Sequence, residues 1–199
     1  GTTYATGEIG IMPQIIIDYY DDRKQTKQKM LELMKSGGDE KDIQHLENRQ
    51  MAIKILMNSL YGAMGNQWFR YFDIRLAEAI TMTGQTVIKQ CEATVNTELN
   101  KMLNTKSRDY VIAMDTDSLY VNFAPFIEKF NPKDPVDFLD KVCETHFEKL
   151  FQRDLHTLFE EQQCRIPRME MEREVIADKG IWTAKKRYIL NVNNSEGVP

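Results

Sequence analysis

One short stretch, residues 111–121, constrains the fold more than any other part of the sequence. It reads Val-Ile-Ala-Met-Asp-Thr-Asp-Ser-Leu-Tyr-Val, so apolar residues with high β propensity flank a polar core of four residues. This pattern predicts two short strands joined by a tight turn. The turn would carry two acidic residues, Asp115 and Asp117.

The spacing of the two aspartates makes them candidate metal ligands. Residues two apart project to the same side of an extended backbone, and neighbouring carboxylates raise each other's pKa values unless a cation lies between them. A hard divalent ion such as Mg²⁺ prefers oxygen ligands and would meet that need. The alternative is an ordinary Asp-rich β-turn, and the tetrapeptide D-T-D-S alone does not decide between the two.

Composition places the chain among ordinary globular proteins. It has 199 residues, 42% of them hydrophobic and 28% charged, with a net charge of −4, so any nucleic-acid binding must come from a local basic patch. Cys91, Cys143 and Cys164 are odd in number and far apart, which indicates reduced thiols in an intracellular protein. The sequence has no signal peptide and no long apolar run, so we expect neither secretion nor a membrane location.

Two helices joined by a short break are predicted for residues 14–61. Good helix formers fill residues 14–35 and 41–60, and Ser-Gly-Gly-Asp at 36–39 separates them. The short break predicts an antiparallel helical hairpin. Residues 1–13 form an irregular or extended lead-in to it.

Three cations of this hairpin fall at similar heights when residues are counted from its tip at about 1.5 Å per residue. Arg23 and Lys27 share a face of the first helix, and Lys54 shares an arc of the second helix with Asn58 and Tyr61. Such a patch suits a polyphosphate, because Arg forks onto phosphate oxygens and Lys supplies a point charge. A solvated, charged helix surface is the commoner explanation for such a pattern.

Further helices are predicted on either side of the acidic hairpin. Residues 74–104 have helical periodicity and should back onto a sheet. Asp134 is a natural N-cap with Pro135 at the first helical position, and that helix extends to about Gln162. The aromatic cluster at 68–72 favours burial at a helix junction, with base stacking as the alternative.

The last part of the chain predicts β-structure. Residues 168–175 alternate with period two, which is typical of a strand, and Gly180 ends it. Residues 182–192 would continue this strand or form its hairpin partner. The three successive cations at 185–187 would either grip a phosphate backbone or guard an exposed sheet edge.

Four motifs, ordered along the chain, resemble those of the family B DNA polymerases. Residues 54–62 read K-x-x-x-N-S-x-Y-G, residues 115–118 read D-T-D-S, and residues 185–188 read K-K-R-Y. The long stretch 58–73, together with R-K-Q-T-K at 23–27, is most similar to the T-even-phage branch. The resemblance covers nearly the whole chain, and its ordered motifs make it highly specific.

The resemblance implies an α+β fold, in which an antiparallel palm sheet is backed by long helices and an antiparallel two-helix fingers hairpin protrudes. Residues 1–13 would lead in from the palm, residues 14–61 would be the fingers, and residues 62–199 would be palm. The palm would include the acidic hairpin at 111–121 and the K-K-R-Y strand at 182–192.

The resemblance also implies roles for individual residues. Asp117 would ligate both Mg²⁺ ions of a two-metal site, with Asp115 as a nearby, less direct carboxylate. Lys54 would join them as a catalytic residue. Binding of the incoming nucleotide and of DNA is implied for eight residues: Arg23, Lys27 and Lys54 on the triphosphate, Asn58 and Tyr61 at the nascent base pair, and Lys185, Lys186 and Tyr188 on the primer-terminal duplex. Tyr61 would help to exclude a ribose hydroxyl, and Glu174 aligns with an acidic position near the metals.

Two departures from the family pattern affect this interpretation. Ala113 and Met114 stand where family members usually have Tyr-Gly, which makes the hairpin bulkier where a primer end approaches. The motif D-x-x-S-L-Y-P, whose Asp is the other shared metal ligand, does not occur in the 199 residues, and neither do exonuclease or thumb segments. We therefore expect this polypeptide alone to bind metals weakly and to polymerise little or not at all. Gly1 would then mark a point of truncation, a processed end or the boundary of a split gene.

The predicted function is the fingers-and-palm part of a template-directed DNA-dependent DNA polymerase. Its partners would be primer-template DNA, deoxynucleoside triphosphates and the remaining polymerase domains or a second polymerase chain, in the cytoplasm of a host cell. Three alternatives remain: a non-catalytic nucleotide- or nucleic-acid-binding module, another nucleotidyl transferase or cyclase with an acidic hairpin, and a structural helical protein with a fortuitous turn.

Overall fold

The computed structural model of the chain describes residues 7–165 and 167–195, and its fold is α+β. The helices are α1 Ile11–Ser36, α2 Glu40–Met64, α3 Ile74–Leu103, α4 Ala124–Phe130, α5 Pro135–Val142 and α6 Glu148–Glu161; the strands are β1 Val111–Asp115, β2 Ser118–Val121, β3 Val175–Ala184 and β4 Arg187–Ser195. The chain divides into two compact units after Thr81.

The first unit contains the predicted helical hairpin. Gly37, in the left-handed conformation (φ 69°), ends α1, and the Asp39 side chain caps α2 by accepting a 2.8 Å hydrogen bond from the backbone N–H of Lys41. Asp22 on α1 accepts two hydrogen bonds from the Arg49 guanidinium on α2, at 3.0 and 3.1 Å, as expected for antiparallel neighbours. The hairpin prediction for residues 14–61 is confirmed.

The helices are longer than predicted at both ends of the hairpin. α1 begins at Ile11, so the expected lead-in is wrong for residues 11–13, and residues 1–6 lie outside the described residues. Pro13 is accommodated because the first turn of a helix has no intrahelical partner for its N–H groups. α2 continues to Met64.

The aromatic residues that follow α2 do not form the predicted core. Trp68 is 85% exposed, and Tyr71 and Phe72 are exposed as well. Phe69 and Tyr71 contact each other edge to face with 5.8 Å between ring centroids. The prediction of burial at a helix junction is therefore wrong for Trp68, Tyr71 and Phe72.

The second unit packs its core against α3. The helix predicted at 74–104 is confirmed as Ile74–Leu103. The largest buried cluster contains Val95, Leu99, Tyr110, Phe126 and Phe147, contributed by α3, α4, the approach to β1 and the segment before α6.

The helix predicted from Pro135 to Gln162 is interrupted by one wide π turn, Cys143–Phe147, between α5 and α6. The predicted N-cap is confirmed, since the Asp134 carboxylate accepts hydrogen bonds from the backbone N–H groups of residues 136 and 137 at 3.0 and 3.1 Å. The π turn buries both Cys143 and Phe147 and places His146 3.1 Å from Glu98 on α3.

The described strands form two separate two-stranded antiparallel sheets, β1–β2 and β3–β4, rather than a single palm sheet. The strand predicted at 168–175 is wrong, because β3 begins only at Val175. Arg173 explains the difference: its backbone N–H donates to the Glu148 carboxylate at 3.1 Å, and its guanidinium bonds to Asp140 and Asn194. The backbone N–H of Arg173 is therefore bound to a helix side chain instead of to a neighbouring strand.

Gly180 does not end the strand, and residues 182–192 are not one strand. Gly180 lies inside β3, where an added Cβ would come within 2.6 Å of the Trp182 ring. The chain reverses at Lys185 and Lys186, and the φ of Lys186 is 62°. The K-K-R-Y motif thus occupies a hairpin tip and the start of β4.

In the described part of the chain, no helix combines the length and apolar character needed to span a bilayer.

Leu99 tests the core of the second unit. It is 0% exposed, and we expect Leu99→Ala to lower the free energy of unfolding by about 3 kcal/mol because a cavity replaces packed atoms. Ile80→Ala on the same helix, at a site 48% exposed, should cost less than about 1 kcal/mol. Urea unfolding measures both, and equal losses would contradict the core assignment.

Thiol reactivity tests burial of the cysteines. Burial raises the pKa of both Cys91 and Cys143 to about 11, whereas Cys164 is exposed. Because the thiolate is the reactive form, a raised pKa keeps both buried thiols protonated at pH 8. We expect one fast-reacting thiol with an aromatic disulfide reagent and two more after unfolding, and loss of the fast phase in Cys164→Ser.

Candidate functional site

The acidic turn, residues 115–117, lies at the tip of the β1–β2 hairpin. Asp115 is the last residue of β1 and pairs with Ser118, so Thr116 and Asp117 form the two-residue connection. The backbone N–H of Asp117 donates to the Asp115 carbonyl at 2.7 Å, and the Thr116 hydroxyl donates to the Asp115 carboxylate at 3.1 Å. The prediction of a hairpin over 111–121 is confirmed.

The backbone of the acidic turn bends sharply at Thr116. Its φ of 58° lies in the left-handed region, which is unfavourable for a β-branched residue and costs about 1–3 kcal/mol. Since Asp117 lies in the turn, the argument from a shared side of an extended backbone does not hold for it. Asp115 is partly buried and Asp117 is exposed. Strain of this kind is often concentrated at functional sites.

The chemistry of the acidic turn fits a hard divalent cation held partly by the protein. Mg²⁺ commonly binds through one or two carboxylates and keeps several waters. Among the described residues, no group of three or more His, Cys, Asp or Glu side chains comes together as a metal site. Glu174, which is exposed just before β3, therefore does not complete such a group with Asp115 and Asp117.

The residues before the acidic turn pair directly across the hairpin. Ala113 lies opposite Tyr120, and Met114 lies opposite Leu119. Met114 is 41% exposed, so part of the added bulk expected from Ala-Met faces solvent.

The basic turn, Lys185 and Lys186, forms the tip of the β3–β4 hairpin. Both lysines are exposed, and the Thr183 hydroxyl closes the turn by donating to the Arg187 carbonyl at 3.2 Å. Adjacent ammonium groups at an exposed tip suit a ligand with several anionic oxygens, such as a phosphate backbone.

One aromatic cluster links the two hairpins. Tyr120 of β2 contacts Trp182 of β3 and Tyr188 of β4, with ring centroids 5.5 and 5.2 Å apart, and Trp182 stacks on Tyr188 at 6.3 Å. Burial and, after it, a hydrogen bond with Tyr188 raise the pKa of Tyr120 to about 12. The Tyr120 hydroxyl therefore stays protonated at neutral pH.

Sequence reasoning missed Tyr120 and Trp182. Both are aromatic residues in predicted strands close to the D-T-D-S and K-K-R-Y motifs, and that proximity was the available signal. Which rings meet depends on the packing of one hairpin on another, and strand periodicity carries no such information. Tyr188, by contrast, is predicted from its motif.

In the first unit, cross-helix contacts revise the predicted heights of the cations. Arg23 Nε donates to the Gln50 side-chain oxygen at 3.2 Å, so these two residues are level. Lys54 lies four residues beyond Gln50 on the same face of α2, about 6 Å further along the helix. The basic residues Arg23, Lys27 and Lys54 are therefore spread along the hairpin, and the prediction of similar heights is wrong for Lys54.

The second helix presents Lys54, Asn58 and Tyr61 at helical spacing, and all three are exposed. The Tyr61 hydroxyl lies 3.5 Å from the Thr81 hydroxyl. An ammonium, an amide and a phenol thus follow one another along α2. This strip can bind an anionic and hydrogen-bonding ligand.

Comparison with known proteins identifies the family. The model for DNA polymerase family B matches residues 3–196. The chain is 42% identical over 162 residues to the DNA-directed DNA polymerase of Escherichia phage RB69 and 39% identical over 161 residues to that of Enterobacteria phage T4, covering 74% of this chain in each case. It is also 26% identical over 182 residues, 91% of this chain, to a DNA polymerase of Pyrococcus glycovorans.

The matched regions are a small part of the relatives. They span 18% of the two phage polymerases and 19% of the Pyrococcus protein. The match nevertheless extends across both units of the chain, and the two phage enzymes are of the T-even type that the motifs resemble. The chain therefore belongs to family B of the DNA polymerases.

Proposed function

We propose that this chain is the fingers-and-palm portion of a template-directed DNA-dependent DNA polymerase. The observation that carries the proposal is the packing of the β1–β2 hairpin against the β3–β4 hairpin in the second unit. The acidic turn suits a metal-bound phosphate, the basic turn suits a DNA backbone, and Tyr120 joins their hairpins through its 5.2 Å contact with Tyr188. Residues 14–61, which contain most of α1 and α2, would be the fingers, and residues 62–199 would be palm.

The reaction is nucleotidyl transfer from a deoxynucleoside triphosphate to a primer 3′-hydroxyl. Phosphoryl transfer depends on positioning and on neutralisation of oxygen charge rather than on covalent chemistry by the protein. When bound, two Mg²⁺ ions lower the pKa of the attacking hydroxyl and neutralise the leaving pyrophosphate. Asp117 would ligate both ions, and Asp115 would be the less direct carboxylate.

The remaining candidate residues would position the substrates. Arg23, Lys27 and Lys54 would bind the triphosphate, and their spread along the hairpin suits a chain of phosphates rather than one anion. Asn58 and Tyr61 would line the nascent base-pair pocket, with Tyr61 disfavouring a ribose hydroxyl. Lys185 and Lys186 would bind the primer backbone, and Tyr188 would contact the duplex from β4.

Activity is proposed for the chain completed by other polymerase segments, whether from a longer parent polypeptide or from a second one. Within the described residues, two carboxylates occupy the acidic turn without a third ligand, and a two-metal site needs more. The proposed setting is the cytoplasm of a phage-infected cell.

A non-catalytic nucleotide- or DNA-binding module is the second candidate, and the same incomplete ligand set favours it. Primer extension separates the two. The 199-residue chain should extend a primer weakly or not at all, and addition of the missing segments of a phage relative should restore extension. Strong extension by the chain alone would contradict the proposed incompleteness, and no extension in any mixture would favour the binding module.

Asp117 tests the metal role. In the supplemented reaction, Asp117→Asn should lower the extension rate by about 100-fold or more, because a neutral amide replaces a carboxylate that balances the charge of both ions. Asp137→Asn removes a surface carboxylate that pairs with Lys141 at 2.7 Å and should leave the rate within about twofold. Equal rates for the two variants would remove Asp117 from the mechanism.

Lys54 tests the triphosphate site. Lys54→Ala should raise the dissociation constant of Mg·dATP for the 199-residue chain about tenfold, because one charge-assisted contact is lost. Lys41→Ala, near the start of the same helix, is the charge-matched control. Isothermal titration measures both, and a shared small effect would indicate general screening instead of a site.

A further inference from the structure

The cluster of Tyr120, Trp182 and Tyr188 lies between two turns that are proposed to handle different parts of the substrate. Tyr120 is three residues after Asp117 on β2, whereas Trp182 and Tyr188 are opposite each other in the β3–β4 register and flank the basic turn. Both rings of the second hairpin lie within 5.5 Å of the Tyr120 ring, centroid to centroid. The Tyr120 ring therefore contacts both strands that carry the basic turn.

The position of Trp182 is set by packing. An added Cβ on Gly180 would come within 2.6 Å of Cη2 and Cζ3 of Trp182 and within 2.7 Å of Leu190 Cδ2. The indole ring thus packs directly against the backbone at Gly180, and any side chain at that position would clash with it. The indole N–H is buried and has no hydrogen-bond partner among the described residues, so stacking rather than hydrogen bonding holds the ring in place.

We propose that Tyr120 is a positioning residue, whose ring, packed edge to face against Trp182 and Tyr188, fixes the basic turn relative to the acidic turn and so sets where a primer terminus meets the proposed metal-binding carboxylates. The inference rests on the proposed function, since it gives the two turns their roles. The inference adds a structural cause for the distance between the acidic turn and the basic turn. The contact acts through an edge-to-face arrangement, with interplanar angles of 73° and 61°.

The test compares Tyr120→Leu, which removes the ring, with Tyr120→Phe, which keeps the ring and removes the hydroxyl. Binding of the 199-residue chain to a fluorescent primer-template is measured by anisotropy over a range of salt concentrations. We expect Tyr120→Leu to weaken binding about fivefold to tenfold and to flatten the slope of log K against log salt by about 1, because a phosphate contact is misplaced although no charge is removed. Tyr120→Phe should bind within about twofold of the unsubstituted chain.

Three further variants separate the loss of charge, the displacement of the Trp182 ring and the loss of a packed ring elsewhere. Lys185→Ala with Lys186→Ala should flatten the same slope by about 2. Gly180→Ala should displace the Trp182 ring and reproduce the Tyr120→Leu effect without touching Tyr120. Phe130→Leu, in the separate ring cluster with Phe126 and Phe138, is the control for loss of a packed ring elsewhere and should leave the slope unchanged.

Trp182 fluorescence reports the cluster without DNA. In a Trp68→Phe background Trp182 is the remaining tryptophan, and its emission should shift to longer wavelength in Tyr120→Leu and stay in place in Tyr120→Phe. A shifted emission with unchanged DNA affinity and salt slope would overturn the positioning role. Equal weakening by both Tyr120 variants would overturn the ring-packing cause.

Failure of the proposed function gives a different result. If the unsubstituted chain shows no salt-dependent binding that depends on Lys185 and Lys186, then the basic turn is not a DNA site, and the primer-positioning role falls with it. If that binding is present and Tyr120→Leu leaves it intact, only the positioning inference is wrong.

Discussion

The placement of the β3–β4 hairpin depends on one guanidinium, that of Arg173, whose side chain is only 14% exposed. It forms an ion pair with Asp140 on α5 and donates to Asn194 on β4 at 2.8 Å, while its backbone N–H is bound to Glu148 on α6. A charge this sheltered is stable only when it is fully partnered. The hairpin is thereby attached to the helices at its open end, and its tip is left to be positioned by other contacts.

Those other contacts are aromatic, and they support the two hairpins that carry the acidic and basic turns. A two-stranded hairpin has little stability of its own in water, yet both proposed substrate-binding tips are carried on such hairpins. Each tip also contains a residue other than glycine with positive φ, Thr116 at 58° and Lys186 at 62°. The strained turns are sustained because ring packing just behind them supplies the missing support.

Much of this arrangement was predictable from the sequence, and the exceptions have physical causes. Strong local signals located the helical hairpin, α3, the Asp134 cap and the acidic hairpin. Period-two alternation at 168–175 led to a wrong strand prediction because the backbone N–H of Arg173 bonds to a helix side chain. Gly180 led to a wrong strand end because it lies inside β3, where it makes room for the Trp182 ring. The candidate residues were found through motifs, whereas Tyr120 and Trp182 required knowledge of how the two hairpins pack.

The interface between α1 and α2 is unusually polar for two long helices. The buried residues of these helices in the described part of the chain are Thr26, Gln50 and Ile53, and side-chain hydrogen bonds join Asp22 to Arg49 and Arg23 to Gln50 across the interface. Replacing a polar side-chain contact by contacts with water changes the free energy little. Separating or sliding these helices therefore costs far less free energy than opening an apolar core would. Amide hydrogens of this hairpin should consequently exchange through small, frequent openings, and an anion that bridges both helices would slow this exchange because its binding stabilises the closed hairpin.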